Sequence, residues 1–257
     1  MKAQNFIKQL ADQRKEERNE LVISYLTLRN LIGFGGMLLP IALAVRPARP
    51  SEYYFGFEPS ISDYYYTDRG DILVVILCII GAFLITYYGY GFYEWLLTFL
   101  AGICGIGVAF VPTKIGCDRC LLSVHTEHGG VFKTLAGTGW HFAFAATFLL
   151  SLAIMSLVFF TRGDDSAATE GKNKQKAIRN RVFKICGWVI IGSLIILGIY
   201  FILRRMIGLD VKPFPIVYVF EAVAVEAFGF SWLVKGQTLW PDGEHYLKKG
   251  INMLSQA

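Results

Sequence analysis

Residues 72–89 read ILVVILCIIGAFLITYYG, with no charged side chain and no alternation of polar and apolar positions. About 18 consecutive apolar residues are what a helix needs to cross a hydrocarbon layer. A strand in lipid would leave backbone amides and carbonyls bare, at a cost that excludes it unless a barrel closes, and barrel strands alternate. Working outward, five more such runs follow: 21–45, interrupted by Arg29 and Asn30; about 95–111; 141–160; 183–203; and about 216–234. The expected fold class is all-α, a polytopic membrane protein built as a six-transmembrane-helix bundle.

Composition points the same way. Of the 257 residues 54% are hydrophobic and 18% charged, with a mean hydropathy of +0.45. Soluble domains run near 45–50% and about 25%. Those figures also exclude intrinsic disorder and a disulfide-dense secreted scaffold. The net charge of +5 is sorted along the chain by membrane side, so it argues for no nucleic-acid partner. The expected partner is membrane lipid.

The organisation reads in five parts. Residues 1–20 mix Lys and Arg with Asp and Glu around Phe6, Ile7 and Leu10, which reads as a polar cytoplasmic or interfacial helix rather than a signal peptide. Residues 21–161 hold four spans and two outer loops. Residues 162–182 form a basic cytoplasmic linker, opening on the small polar run GDDSAATEGKNKQ. Residues 183–236 hold two further spans, and 237–257 a cytoplasmic tail. With both termini inside, fifteen Lys and Arg fall on the inner side against nine outside, the bias expected of cytoplasmic segments. Arg204 and Arg205 count against it. Glycines cluster inside spans, at Gly33, Gly35 and Gly36, at Gly102, Gly105 and Gly107, and at Gly187, Gly192 and Gly198. They predict close helix packing rather than sites.

Ionisable groups within spans are costly and normally need a partner or a cavity. Three stand out: Arg29, Glu221 and Glu226. Arg29 follows Leu21 by eight residues and Glu226 precedes Lys235 by nine. Both therefore fall about 12–14 Å from the inner boundary, and an Arg29–Glu226 ion pair between the first and last spans is expected, as a structural latch or as part of an ion path. Glu221 falls in the outer half of the last span. At similar depth lie Asp71 and His141, beneath the stretch PSISDYYYT of residues 59–67. Two readings stay open. In one, His141, Asp71 and Glu221 act as acid–base groups of an outward-facing pocket, with Ser62, Asp63, Tyr65 and Trp140 holding a ligand. In the other, these residues only cap helices and form an interfacial aromatic belt. No Gly-x-Ser-x-Gly or His-Glu-x-x-His motif marks a nucleophile or a metalloprotease.

In the following loop Cys117 and Cys120, then His125 and His128, offer four ligand types suited to zinc. The spacing is tighter than a standard finger, and a disulfide or two free thiols compete with the metal reading. Cys78, Cys104 and Cys186 fall within spans and read as core residues.

The run PSISDYYYT–DRGDILVVILCIIGAFLITYYGY, followed by FVPT at 110–113, His141 at a span start and FGFSWLVKG at 228–236, resembles a bacterial family of uncharacterised six-span integral membrane proteins, similar to the Frag/DRAM/Sfk-type membrane proteins. The resemblance covers roughly residues 30–236. It implies a six-helix bundle with a substantial first outer loop, set in a bacterial inner membrane. Through the eukaryotic relatives it suggests work in lipid or glycolipid-anchor handling or in membrane trafficking, and it makes Ser62, Asp71, His141 and Glu221 candidates for the family's polar positions. The acidic pair of the last span and the Cys/His loop have no counterpart there. Three functions follow as expectations: binding or processing of a lipid or lipid-linked headgroup, a small proton- or ion-coupled transporter or channel, and a structural scaffold. Whether the chain is an enzyme stays open.

Overall fold

A computed structural model describes residues 26–45, 57–89, 91–113, 139–162, 170–209, 211, 214–236 and 238–239. Among them every regular element is helical. Helix α1 spans Leu26–Ala44. A short 3-10 helix, Ser62–Tyr66, leads into α2, Gly70–Thr86. Then come α3 (Phe92–Phe110), α4 (Trp140–Ile154, continued by a π turn over Met155–Phe159), α5 (Glu170–Ile207) and α6 (Ile216–Lys235). Five of these six helices are long and apolar enough to cross a membrane.

The helix that falls short is α2. At 17 residues it is about 25 Å long, against a hydrocarbon core of about 30 Å. The run itself continues to residue 89, but the helix stops at Thr86. Tyr87 takes an extended backbone with φ −70° and ψ 112° and its ring turns inward to full burial. A second difference concerns the linker. Its basic half is helical from Glu170 onward and runs without a break into α5. Helix α5 ends at Gly208, whose φ of 67° is the left-handed conformation that closes helices and that glycine adopts at no steric cost.

Side-chain contacts give the bundle an up-and-down course with two distinct ends. At one end Arg29 of α1 meets Tyr87 after α2, Tyr87 meets Glu94 of α3, and Phe160 after α4 packs on Phe183 of α5 and Trp232 of α6. At the other, Arg69 before α2 donates to Ala42 O of α1, His141 opens α4 beside Val111 after α3, Phe142 packs on Phe201 of α5, and Tyr218 of α6 reaches Pro40 O of α1. The interior between them is aliphatic and aromatic, centred on Trp232, Phe228, Leu84, Leu152 and Ile190. The outside carries an apolar belt that includes Leu31, Phe34, Leu38 and Ile41 on α1 and Ile195, Ile199 and Ile202 on α5. So wide an exposed apolar surface suits lipid rather than water.

Candidate functional site

The segment from Phe57 to Arg69 is drawn onto the bundle by hydrogen bonds to four helices or their ends. The Tyr218 N–H, in the first turn of α6 where no intrahelical partner exists, donates to Pro59 O at 2.9 Å. One turn further along, Glu221 Oε2 accepts from the Ile61 N–H at 2.7 Å. The Tyr218 hydroxyl donates to Pro40 O at 2.8 Å, its ring packing between Phe57 and Tyr64. On the α3 side, the Tyr66 hydroxyl donates to Thr113 O at 2.5 Å and the Thr113 hydroxyl donates to Asp63 Oδ1 at 3.0 Å. These ties turn a short polar segment into a cover over the end of the bundle.

Under the cover lies a serine–histidine pair. Ser62 Oγ and His141 Nε2 are 2.9 Å apart, and His141 Nδ1 is 2.6 Å from Val111 O. A carbonyl oxygen only accepts, so Nδ1 carries the ring hydrogen. In the neutral imidazole Nε2 is then an acceptor, and Ser62 donates to it. Both residues are buried, Ser62 at 7% and His141 at 2% exposure. The chemistry available is that of a hydroxyl held against a correctly oriented base.

Asp63 sits beside the pair, close enough for its carboxylate and the imidazole to feel each other's charge. Burial pushes the Asp63 carboxyl above its usual range, and hydrogen bonds from Ser60 and Thr113 oppose that push. Glu58, at the edge of the cover, is raised to about 7, first by burial and then by the Asp63 charge. Burial likewise lifts the phenols of Tyr64, Tyr65 and Tyr66, the last to about 12, so all three stay protonated hydrogen-bond groups.

Of the residues expected at this end, Ser62, Asp63, His141 and Glu221 are brought together. Tyr65 is half-buried against Tyr66, with ring centroids 5.3 Å apart. Trp140 points outward at 56% exposure. Asp71 does not take the place expected of it: it is exposed in the first turn of α2, where a carboxylate complements the positive end of the helix dipole. Asp63 is the carboxylate beside the imidazole, because the 3-10 helix, not α2, carries the chain past His141. Glu58 was not singled out from the sequence; its sole signal there was a place one residue before PSISDYYYT.

Arg29 and Glu226 are not brought together either. The Cβ positions of Gly33 and Gly36 would abut Gly229, and that of Gly236 would meet Asn30. Arg29 therefore lies level with about residue 236, and Glu226 level with about Leu39. The two stand some ten residues apart along α1, about 15 Å. Arg29 instead donates from Nη2 to the Tyr87 hydroxyl at 2.9 Å, and Tyr87 donates to Glu94 Oε1 at 3.3 Å. Arg29 and Glu94 are both buried, at 5% and 3% exposure. In the sequence Glu94 sits one residue before the third apolar run, which begins at about Trp95, whereas α3 itself begins at Phe92 and takes Glu94 into its first turn.

Cys117, Cys120, His125 and His128, the expected zinc ligands, lie outside the described residues. Among the described residues no group of three or more His, Cys, Asp or Glu side chains is arranged to hold a metal ion. Compared with protein-family models, with curated proteins and with solved structures, the chain matches none.

Proposed function

We propose that this chain is a six-span integral membrane protein, with both termini cytoplasmic, that binds and processes the polar headgroup region of a membrane lipid at the His141 end of the bundle. One observation carries the reading. The contacts gather a buried Ser62–His141 pair, two carboxylates and a ring of phenols at one end of the bundle, the level at which a bilayer-spanning bundle would meet headgroups. Helix α2 serves as the sixth crossing.

Native mass spectrometry of protein purified in mild detergent tests this. Wild type is expected to retain a lipid of defined class. Glu221→Gln, which weakens the acceptor holding Ile61, and His141→Ala are expected to lose it. A wild type that carries no lipid above the level of its own exposed apolar belt, as judged against an unrelated six-helix protein, overturns the proposal.

The Arg29–Tyr87–Glu94 chain favours a second reading, a small proton-coupled transporter. Buried ionisable groups linked through a phenol at one end, and carboxylates at the other, are the parts such a path needs. It predicts that Glu94→Gln abolishes a proton flux in proteoliposomes that wild type supports; if wild type supports none, this second reading fails.

A further inference from the structure

We infer that Ser62 is a nucleophile and His141 its general base, together carrying out acyl transfer from an ester-linked membrane lipid. The inference rests on the lipid-headgroup reading for its substrate and on geometry for its chemistry.

Three observations single out this serine. The hydroxyls of Thr86, Thr98 and Ser231 in helices, and of Thr161 just past the π turn, are spent on carbonyl oxygens three or four residues back, the usual way a helix satisfies them, and that of Ser156 donates to Ser231 Oγ. Among the described residues the one hydrogen-bond partner of Ser62 Oγ is His141 Nε2, at 2.9 Å. Second, the ring is oriented from behind: the Val111 carbonyl at 2.6 Å from Nδ1 fixes the tautomer that leaves Nε2 free to take a proton. A base held by a third group against a hydroxyl is the general signature of an activated nucleophile. Third, the Asp63 carboxylate lies within electrostatic reach of the imidazole, so the imidazolium formed during reaction would be stabilised.

Depth names the substrate class. His141 is the second residue of α4, and Ser62 lies a few residues before α2. In a bundle that spans the bilayer, helix ends are where hydrocarbon gives way to headgroups, the level at which a glycerolipid carries its ester carbonyls. The step balances without a further reagent. Ser62 Oγ bonds to the ester carbonyl carbon and gives its proton to His141 Nε2; the ester C–O bond breaks, and the leaving alcohol takes that proton. Water or a second alcohol then attacks the acyl-serine, passes a proton to His141, and Ser62 Oγ regains it as the acyl group departs.

The test uses a fluorophosphonate probe on the full-length protein in lipid nanodiscs. Attack by Ser62 forms an O–P bond and expels fluoride, so labelling needs no knowledge of the lipid. Wild type is expected to label at Ser62, located by peptide mass spectrometry; Ser62→Ala is expected not to label. His141→Gln is expected to slow labelling by about 10²–10⁴-fold, the usual worth of a general base. Should Ser62→Ala fail to fold, Ser62→Cys supplies the readout: its thiol is expected to react with iodoacetamide faster when His141 is present than in the Ser62→Cys/His141→Gln double variant. A folded wild type that does not label, labelling that persists in folded Ser62→Ala, or a rate unchanged by His141→Gln overturns the inference. Lipid retained by a protein that does not label leaves the headgroup reading standing while this one falls; labelling without retained lipid does the reverse.

Discussion

Glu58 shows how a single side chain makes the cover sensitive to pH. Its carboxyl is raised from 4.5 to about 7, by burial first and the Asp63 charge second. The folded protein thus holds the proton more tightly than the unfolded chain does. The stability this group contributes is complete below about pH 4.5 and is lost as pH rises through about 7. Asp63, also raised, acts with the same sign. Asp63 and Tyr64 act on Glu58 within the segment, with Arg69 beyond Tyr64 and Glu221 of α6 and His141 of α4 beyond Asp63. Amide exchange over residues 57–67, corrected for intrinsic rates, is expected to speed up as pH climbs from 4.5 to 7, and Glu58→Gln to flatten most of that rise. An unchanged profile in Glu58→Gln would place the titration elsewhere.

Arg29 sets the opposite case, a buried charge kept by its neighbours. Removing one member of such a network strands the other in low dielectric, typically costing about 3–5 kcal/mol. Arg29→Leu is expected to lose about that much in denaturant unfolding in micelles, and Arg29→Leu/Glu94→Gln to recover most of it. If the double variant is no more stable than the single, Glu94 is not the group left stranded. These residues also mark how far the sequence could be read. Ser62, Asp63, His141 and Glu221 were legible as a group because each lies near a span end on the same side. Arg29 was legible as anomalous, but its partner was not, since depth counted from span boundaries says nothing of how two helices slide against each other.

At the scale of elements, that sliding is set by glycine. A Cβ on Gly229 would come within 2.6 Å of Gly33 O and 2.8 Å of Met37 N, and one on Gly33 within 2.9 Å of Gly229 O. Backbone faces backbone here, so nothing flexible can give way. Gly81 and Gly102 lock α2 to α3 in the same manner. Gly192 and Gly198 of α5, in contrast, meet nothing within 4 Å. Clustering in the sequence marked Gly33, Gly102, Gly192 and Gly198 alike and passed over Gly81 and Gly229, because spacing along one helix carries no information about which face finds a partner. The two kinds should separate on substitution. Gly229→Ala is expected to destabilise by about 1–3 kcal/mol through overpacking, and Gly192→Ala to stabilise by about 0.5–1 kcal/mol through helix propensity alone. Thermal unfolding of the two variants in the same detergent decides it; equal shifts would mean that α1 and α6 do not meet backbone to backbone.

The whole molecule poses the question of how many times it crosses and which end faces the cytoplasm. The helical class was legible from apolar run length, since lipid leaves a continuous run few other choices. The exact extent of α2 was not, because nothing in the uncharged run Tyr87-Tyr88-Gly89 announces that the chain leaves the helix there with the Tyr87 hydroxyl between Arg29 and Glu94. A helix of about 25 Å can still cross where the bilayer thins or where flanking residues reach the interface, at a cost of fractions of a kcal/mol per Å of mismatch. Exposed positions at the two ends of the bundle test this directly. In a background with the native cysteines replaced, Asp68→Cys and Arg204→Cys mark the His141 end, and Tyr88→Cys and Arg162→Cys the Arg29 end; all four sites are exposed. A membrane-impermeant maleimide applied to intact cells is expected to label the first two and, only after lysis, the second two. Labelling of Asp68→Cys and Tyr88→Cys from the same side would mean that α2 does not cross. The opposite pattern at all four sites would keep the six crossings, invert the orientation, and turn the Ser62–His141 pair toward the cytoplasmic leaflet as the source of its lipid.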